Sequence, residues 1–335
     1  MKLRFIISMI VGSLSLMADE LRIYSERHYG ADKTIFADFT EKTGIEIKVI
    51  KAGANELLTR LDAEKAAPQA DLYITKDAAG LERAHQKGLL APLDSESITA
   101  QVPAGLRGKD GTWTAITMRG RVVVYAKDRV NPADLPKTYS DLAKPDYKGK
   151  ILIRSSSSAY NRSLLSSIYY NEGKAAALKW AQGIKNNMAR PPQGGDRDQV
   201  RAVAQGIGDY AVTNTYYLGV MEQSEKESDR AARAAVNILF PTSGENGTHV
   251  NVSGAGIVKG AANADNARQL IEFIVSSDVQ RKYQDLTSEY AVAQDVEPNE
   301  IISNWGEITP DTTSLHHFLD NYDDAVKLFD FAGWQ

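Results

Sequence analysis

Five side chains of this sequence stand where a strand pattern gives way to a helix pattern, and all five can bind a metal ion. His28 and Tyr29 follow residues 21–24 (LRIY), Tyr160 follows residues 150–154 (KILIR), and Tyr216 and Tyr217 follow residues 209–212 (DYAV). In α/β sheets ligands collect beyond the carboxyl ends of strands, so agreement among three strand ends says more than any one of them. Several phenols and one imidazole suit a hard, highly charged cation. A tyrosine of pKa near 10 is a poor ligand while protonated. A trivalent ion holds it as phenolate at neutral pH, whereas zinc takes imidazole, thiolate and carboxylate. Four phenolates against Fe³⁺ leave a charge of about −1 with neutral His28 as a fifth donor. Arg119, within residues 118–121 (MRGR), is the cation best placed to balance it.

Each of these residues also has an ordinary reading. His28 can cap the following helix beside a packing Tyr29. Neighbours on a helix point about 100° apart, so Tyr216 and Tyr217 can be one buried and one surface ring. At a helix N-terminus, however, the positive end of the dipole favours phenolate. Arg119 can be a surface ion pair. Tyr169 and Tyr170 lie late in an apolar helical run with no strand end beside them, and read as packing. His85, His249, His316 and His317 have no metal-site spacing. A hydrolase built on Ser157, His28 and Asp32 is conceivable, but no serine sits in a G-x-S-x-G element, and no enzyme is expected.

The elements that must position these groups follow from the pattern. The chain has 335 residues, enough for two domains, with 43% hydrophobic and 24% charged residues, an ordinary globular balance. Its net charge of −4, without a basic run, speaks against a nucleic-acid partner. Cysteine is absent, which removes disulfides, thiolate metal sites and a cysteine nucleophile. Residues 1–18 carry Lys2 and Arg4, then an apolar run too short to span a bilayer, then Ala18: an export signal cleaved near Ala18, with no membrane insertion.

From residue 21, short apolar runs alternate with helical stretches, an α/β pattern around a largely parallel sheet. Residues 45–50 and 70–75 read as strands, Asn55 as a helix cap, and residues 163–188 and 264–290 as helical runs. Extended segments near 118 and 240 are expected to carry the chain to a second α/β unit and back. The expected lobes are residues 19–118 with about 241–292, and residues 119–240 with about 293–335. A ligand would lie in the cleft between them. One cleft per chain needs no oligomer, so a monomer is expected.

YSERHY, KTGIEIKVI, ADLYITKDAAGLERAHQKGLLAPL, PKTYSDLAKPDYKGKI and TNTYYLG together resemble the ferric-ion-binding periplasmic proteins of bacterial iron ABC transporters, over roughly residues 19 to 295. The HY and TYY elements discriminate most; the others support the fold more than the ligand. The resemblance implies a periplasmic binding protein of type II: two α/β lobes joined by two crossing strands, like one lobe of transferrin. It implies capture of Fe³⁺ by His28, Tyr29, Tyr160, Tyr216 and Tyr217, with Arg119 behind them, and docking on an inner-membrane permease. Branches with a carboxylate ligand place a Glu after the third strand. Here that position is Lys76, which favours the tyrosine-rich arrangement and leaves a synergistic anion open, with Asn214, Ser156 and Ser157 lining the cleft. The same fold holding an organic or oxyanion solute, paired by Arg119, is the alternative.

Overall fold

Strand β1 (Glu20–Ser25) comes first among the described residues, 20–317 and 319–335, of a computed structural model. The expected export signal, residues 1–18, lies outside the described residues. Leu21, Ile23 and Tyr24 of β1 are fully buried. The helix Gly30–Thr43 presses Ile35, Phe36 and Phe39 against the core from one helical face. β2 (Glu46–Lys51), the helix Ala54–Ala63 and β3 (Leu72–Thr75) repeat the move, so β1 lies parallel to both β2 and β3. Gly53 caps the helix Ala54–Ala63; Asn55, the expected cap, lies inside its first turn.

β4 (Thr114–Ala126) is buried at all 13 positions. Further along come β5 (Ile151–Leu152), β6 (Tyr210–Asn214), β7 (Val236–Leu239), β8 (Thr248–Ile257) and β9 (Pro310–Asp311). The order is β2-β1-β3-β8-β4-β6-β5, with β7 beside β4 and β9 beside β8. β4 pairs with β8 as far as Gly120, then from Arg121 onward with β6 and β7. One strand therefore belongs to two α/β units, and β7 and β8 bring the chain back. The parallel pairing expected from the strand–helix alternation holds between β1 and its neighbours and between β5 and β6. It fails where β4 and β8 join, because a path out and a path back run in opposite directions: β3–β8, β4–β8 and β4–β6 are antiparallel.

Two expected helical runs are each broken in two. The helices Ala159–Glu172 and Lys174–Asn187 meet at Gly173, whose φ of 88° only glycine adopts freely. The helices Ala264–Val275 and Ser277–Thr287 meet at Ser276, whose backbone is extended. Trp334, just after the C-terminal helix Tyr322–Ala332, lies against Trp180, ring centroids 5.7 Å apart. The stretch before it also reaches the first unit, where His316 meets Trp113 at 6.3 Å and Arg83 lies 4.9 Å from the Tyr322 ring. No helix among the described residues is long and apolar enough to cross a membrane.

Candidate metal centre

Each tyrosine of interest sits at the start of a helix that follows a strand. Tyr29 occupies the cap position of the helix Gly30–Thr43, Tyr160 the first turn of Ala159–Glu172, and Tyr216 and Tyr217 the first turn of Thr215–Glu222, directly after β6. The sharp passage from strand to helix aims the rings at the junction of the two units. There the hydroxyls of Tyr160 and Tyr216 lie 3.2 Å apart. The Tyr216 ring lies tilted against Tyr217, centroids 4.1 Å apart, and meets Tyr29 at 6.2 Å. His28, Tyr29 and Tyr216 line a pocket of about 290 Å³, walled also by Val220, Leu286 and Thr287. His28 is exposed at its mouth, Tyr29, Tyr160 and Tyr217 are half-buried, and Tyr216 is buried. The structure thus gathers side chains from three distant strand ends.

Burial pushes the phenols of Tyr29, Tyr216 and Tyr217 well above the ordinary tyrosine range. Glu289 adds to this at Tyr29, and the neighbouring phenols add to it at Tyr216. Guanidinium groups oppose them. The Tyr160 ring has three within cation–π range: Arg154 at 5.6 Å, Arg121 at 5.7 Å and Arg119 at 5.9 Å. Arg27 lies 4.4 Å from the centroid of Tyr29.

Arg119 is no surface residue. It is 1% exposed and donates to the Lys76 carbonyl and to Ser253. Burial works against its charge, and Glu289 with the surrounding phenols outweighs that penalty. Lys76, standing where a carboxylate ligand might have been, pairs with Glu26 at 2.8 Å. Asp77 turns away to cap the helix Ala78–Gln86, accepting from the Ala79 amide at 2.7 Å, and also accepts from Asn251. Asn214 accepts from Arg121 at 3.2 Å, and Ser157 bonds Ser155 at 2.6 Å. Asp32, the acid of the conceivable triad, is held by Arg27 and Tyr283, each at 3.0 Å. His85 pairs with Asp110, His249 with Ser163, and His317 stacks on Tyr170. Among the described residues no group of three or more His, Asp or Glu side chains is arranged for a metal.

Three contributors escape a reading of the sequence. Arg121 was in plain view: residues 119 and 121 of one strand share a face, so MRGR could have yielded both arginines. Arg27 and Glu289 had no such signal. Their neighbourhood exists only because Glu289 meets Thr117 across 172 positions of chain.

Two α/β units sharing a crossing strand, with a lined cleft at their junction, define a type II periplasmic binding protein. Residues 67–304 match the family model of the bacterial extracellular solute-binding proteins, and the chain belongs to that family. It is 42% identical over 316 residues, 94% of this chain and 88% of the relative, to iron uptake protein A1 of Synechocystis sp.. Among solved structures it is similar to the Trichodesmium protein IdiA (FutA) in complex with iron and citrate ligands, at TM-score 0.88 and 39% identity over 94% of this chain and 100% of the other. A ferric binding protein from Campylobacter jejuni superposes at TM-score 0.87 and 38% identity, over 94% and 100% of the two chains.

Proposed function

We propose that this chain captures ferric iron in the periplasm and delivers it to an inner-membrane ABC permease. His28 and Tyr29 come from one lobe, residues 19–118 with about 241–292. Tyr160, Tyr216 and Tyr217 come from the other, residues 119–240 with about 293–335. Closure of the lobes gathers the five donors around Fe³⁺. The observation that carries this reading is the approach of phenols from separate strand ends, Tyr160 and Tyr216 to 3.2 Å. They lie beneath guanidinium groups and without a His–carboxylate cluster among the described residues. Phenolates gathered on Fe³⁺ leave surplus negative charge, and Arg119 offsets it from behind. The role is binding and delivery. An export signal ending near Ala18 places the protein outside the inner membrane, and one cleft per chain lets it act as a monomer.

The test is a titration of the purified chain with ferric citrate. A tyrosinate-to-iron absorption band should appear in the visible. At a thousandfold excess over Kd, binding adds about 4 kcal/mol, raising Tm by roughly 8 °C. Tyr216→Phe should remove most of the band. Tyr170→Phe should keep it, because Tyr170 stacks on His317 at 4.3 Å, outside the cluster. A colourless protein with unchanged Tm refutes the proposal.

A further inference from the structure

Tyr29 differs from the other phenols in what its oxygen touches. Its hydroxyl donates to Oε1 of Glu289 at 3.3 Å, whereas Tyr160 and Tyr216 meet each other. Glu289 is 1% exposed. Its second oxygen accepts from the Thr117 hydroxyl at 2.6 Å and lies 3.8 Å from Arg27.

The carboxylate is held firmly from behind. The Glu289 amide donates to Thr287 at 3.2 Å, and Tyr290 exchanges backbone hydrogen bonds of 2.8 and 3.0 Å with Met118 on β4. Ser288 ends the helix Ser277–Thr287 as its left-handed cap, φ 56°, with its amide donating to the Gln284 carbonyl. Ser288 also rests on the helix of Tyr216 and Tyr217: a Cβ at Gly219 would lie 2.1 Å from its hydroxyl. Residues 287–290 therefore touch Tyr29 and also the helix that carries the second pair of phenols.

The hydrogen bond from Tyr29 to Glu289 needs the proton that a metal ion displaces. Once Tyr29 is a phenolate, it faces a fixed carboxylate of like charge, and no other phenol of the cluster is hydrogen-bonded to a carboxylate among the described residues. Resting on the ferric reading above, we infer that Glu289 is a release residue: as the iron–oxygen bond to Tyr29 breaks, the phenolate takes one proton from solvent and re-forms its hydrogen bond to Oε1 of Glu289, which makes Tyr29 the first donor to let go. It is a positioning residue and not a ligand. Iron held by the remaining phenols and His28 would then pass to an acceptor through the position Tyr29 vacates.

Glu289→Gln tests this with little change of shape, keeping an acceptor for Thr117 and offering Tyr29 an N–H. The full chain is loaded with ferric citrate, and loss of its visible band into excess EDTA is followed at fixed pH. Glu289→Gln should slow release by about tenfold, the scale of one hydrogen bond to a charged group. In a Tyr29→Phe background the same substitution should change nothing, since the competed oxygen is gone. Thr117→Val, which removes the hydroxyl that donates to the second oxygen of Glu289, should not slow release. Equal rates for Glu289→Gln and the parent, an undiminished effect with Phe at 29, slowing by Thr117→Val, or failure of Glu289→Gln to bind iron would each overturn the inference. If the parent chain never develops a band, the ferric reading fails instead.

Discussion

Iron capture by phenols must expel protons, and their number is fixed by the side chains. Tyr29, Tyr216 and Tyr217 have pKa values raised above the ordinary range, by burial first and neighbouring negative groups second. In the empty protein at neutral pH they therefore carry their protons, and binding as phenolates releases at least three of them per iron. Each released proton makes binding weaker by about 1.4 kcal/mol per pH unit of acidification, so three give about 4 kcal/mol, a thousandfold per unit. The dependence should run without levelling from pH 5 to about pH 9, because the phenols titrate only above 10. A site of imidazole and carboxylates would instead level off above about pH 7. The assay delivers iron as its nitrilotriacetate complex in weakly buffered solution, with base consumption measured and the chelator's own protons subtracted. Competition against that chelator across the pH range supplies the affinities. Release of fewer than two protons, or an affinity that levels off above pH 7, would refute phenolate ligation.

Gly219→Ala places a methyl 2.1 Å from the Ser288 hydroxyl and 3.4 Å from Trp305, so the helix of Tyr216 and Tyr217 must move away from residues 287–290. Overpacking of this kind costs about 1–3 kcal/mol; iron affinity should fall about tenfold or more while the circular dichroism stays native, and unchanged affinity would contradict it. His249 is 2% exposed and bonded to Ser163, and burial, then the charges of Arg121 and Arg119, lower its pKa to about 3. The unfolded chain takes up that proton from about pH 6.5 downward, so stability is lost as pH falls from there toward the folded value. Between pH 7 and 4.5 His249→Gln should lose about 2.5 kcal/mol less than the parent in urea unfolding; parallel curves would show that His249 carries no such load.

What could be read in advance was local. The passage from LRIY to HY, from KILIR to Tyr160 and from DYAV to Tyr216 is written within a few residues each, and in the structure these are strand-to-helix turns. The broken helices were not legible, because Gly173 sits in a run whose apolar spacing continues on both sides and only its φ of 88° makes it a break. The antiparallel joints of β4 and β8 depend on which strands become neighbours, a matter of packing between segments more than a hundred residues apart. Arg27 and Glu289 belong to the same category. Each is an ordinary charged residue in its own window, and burial beside Tyr29 appears only when Thr117 of β4 bonds to both of them.

The electrostatics of the cleft bear on how several phenols can be assembled there with one carboxylate, Glu289, hydrogen-bonded to them. The helices Gly30–Thr43, Ala159–Glu172 and Thr215–Glu222 all begin at the tyrosines, and none is capped by a side chain of its N-cap residue. Their dipoles place positive ends around the rings. Arg119, Arg121 and Arg154 add full charges at Tyr160; Asp196 lies 3.0 Å from Arg121 and 3.9 Å from Arg154, and Glu289 acts on Arg119. Such a field stabilises phenolates more than neutral phenols, whereas burial does the reverse. The two pull against each other until a trivalent ion tips the balance. At Tyr29 the same contest is closest: Arg27 lies 4.4 Å from its ring centroid, while Glu289, itself 3.8 Å from Arg27, accepts the hydrogen bond of its hydroxyl.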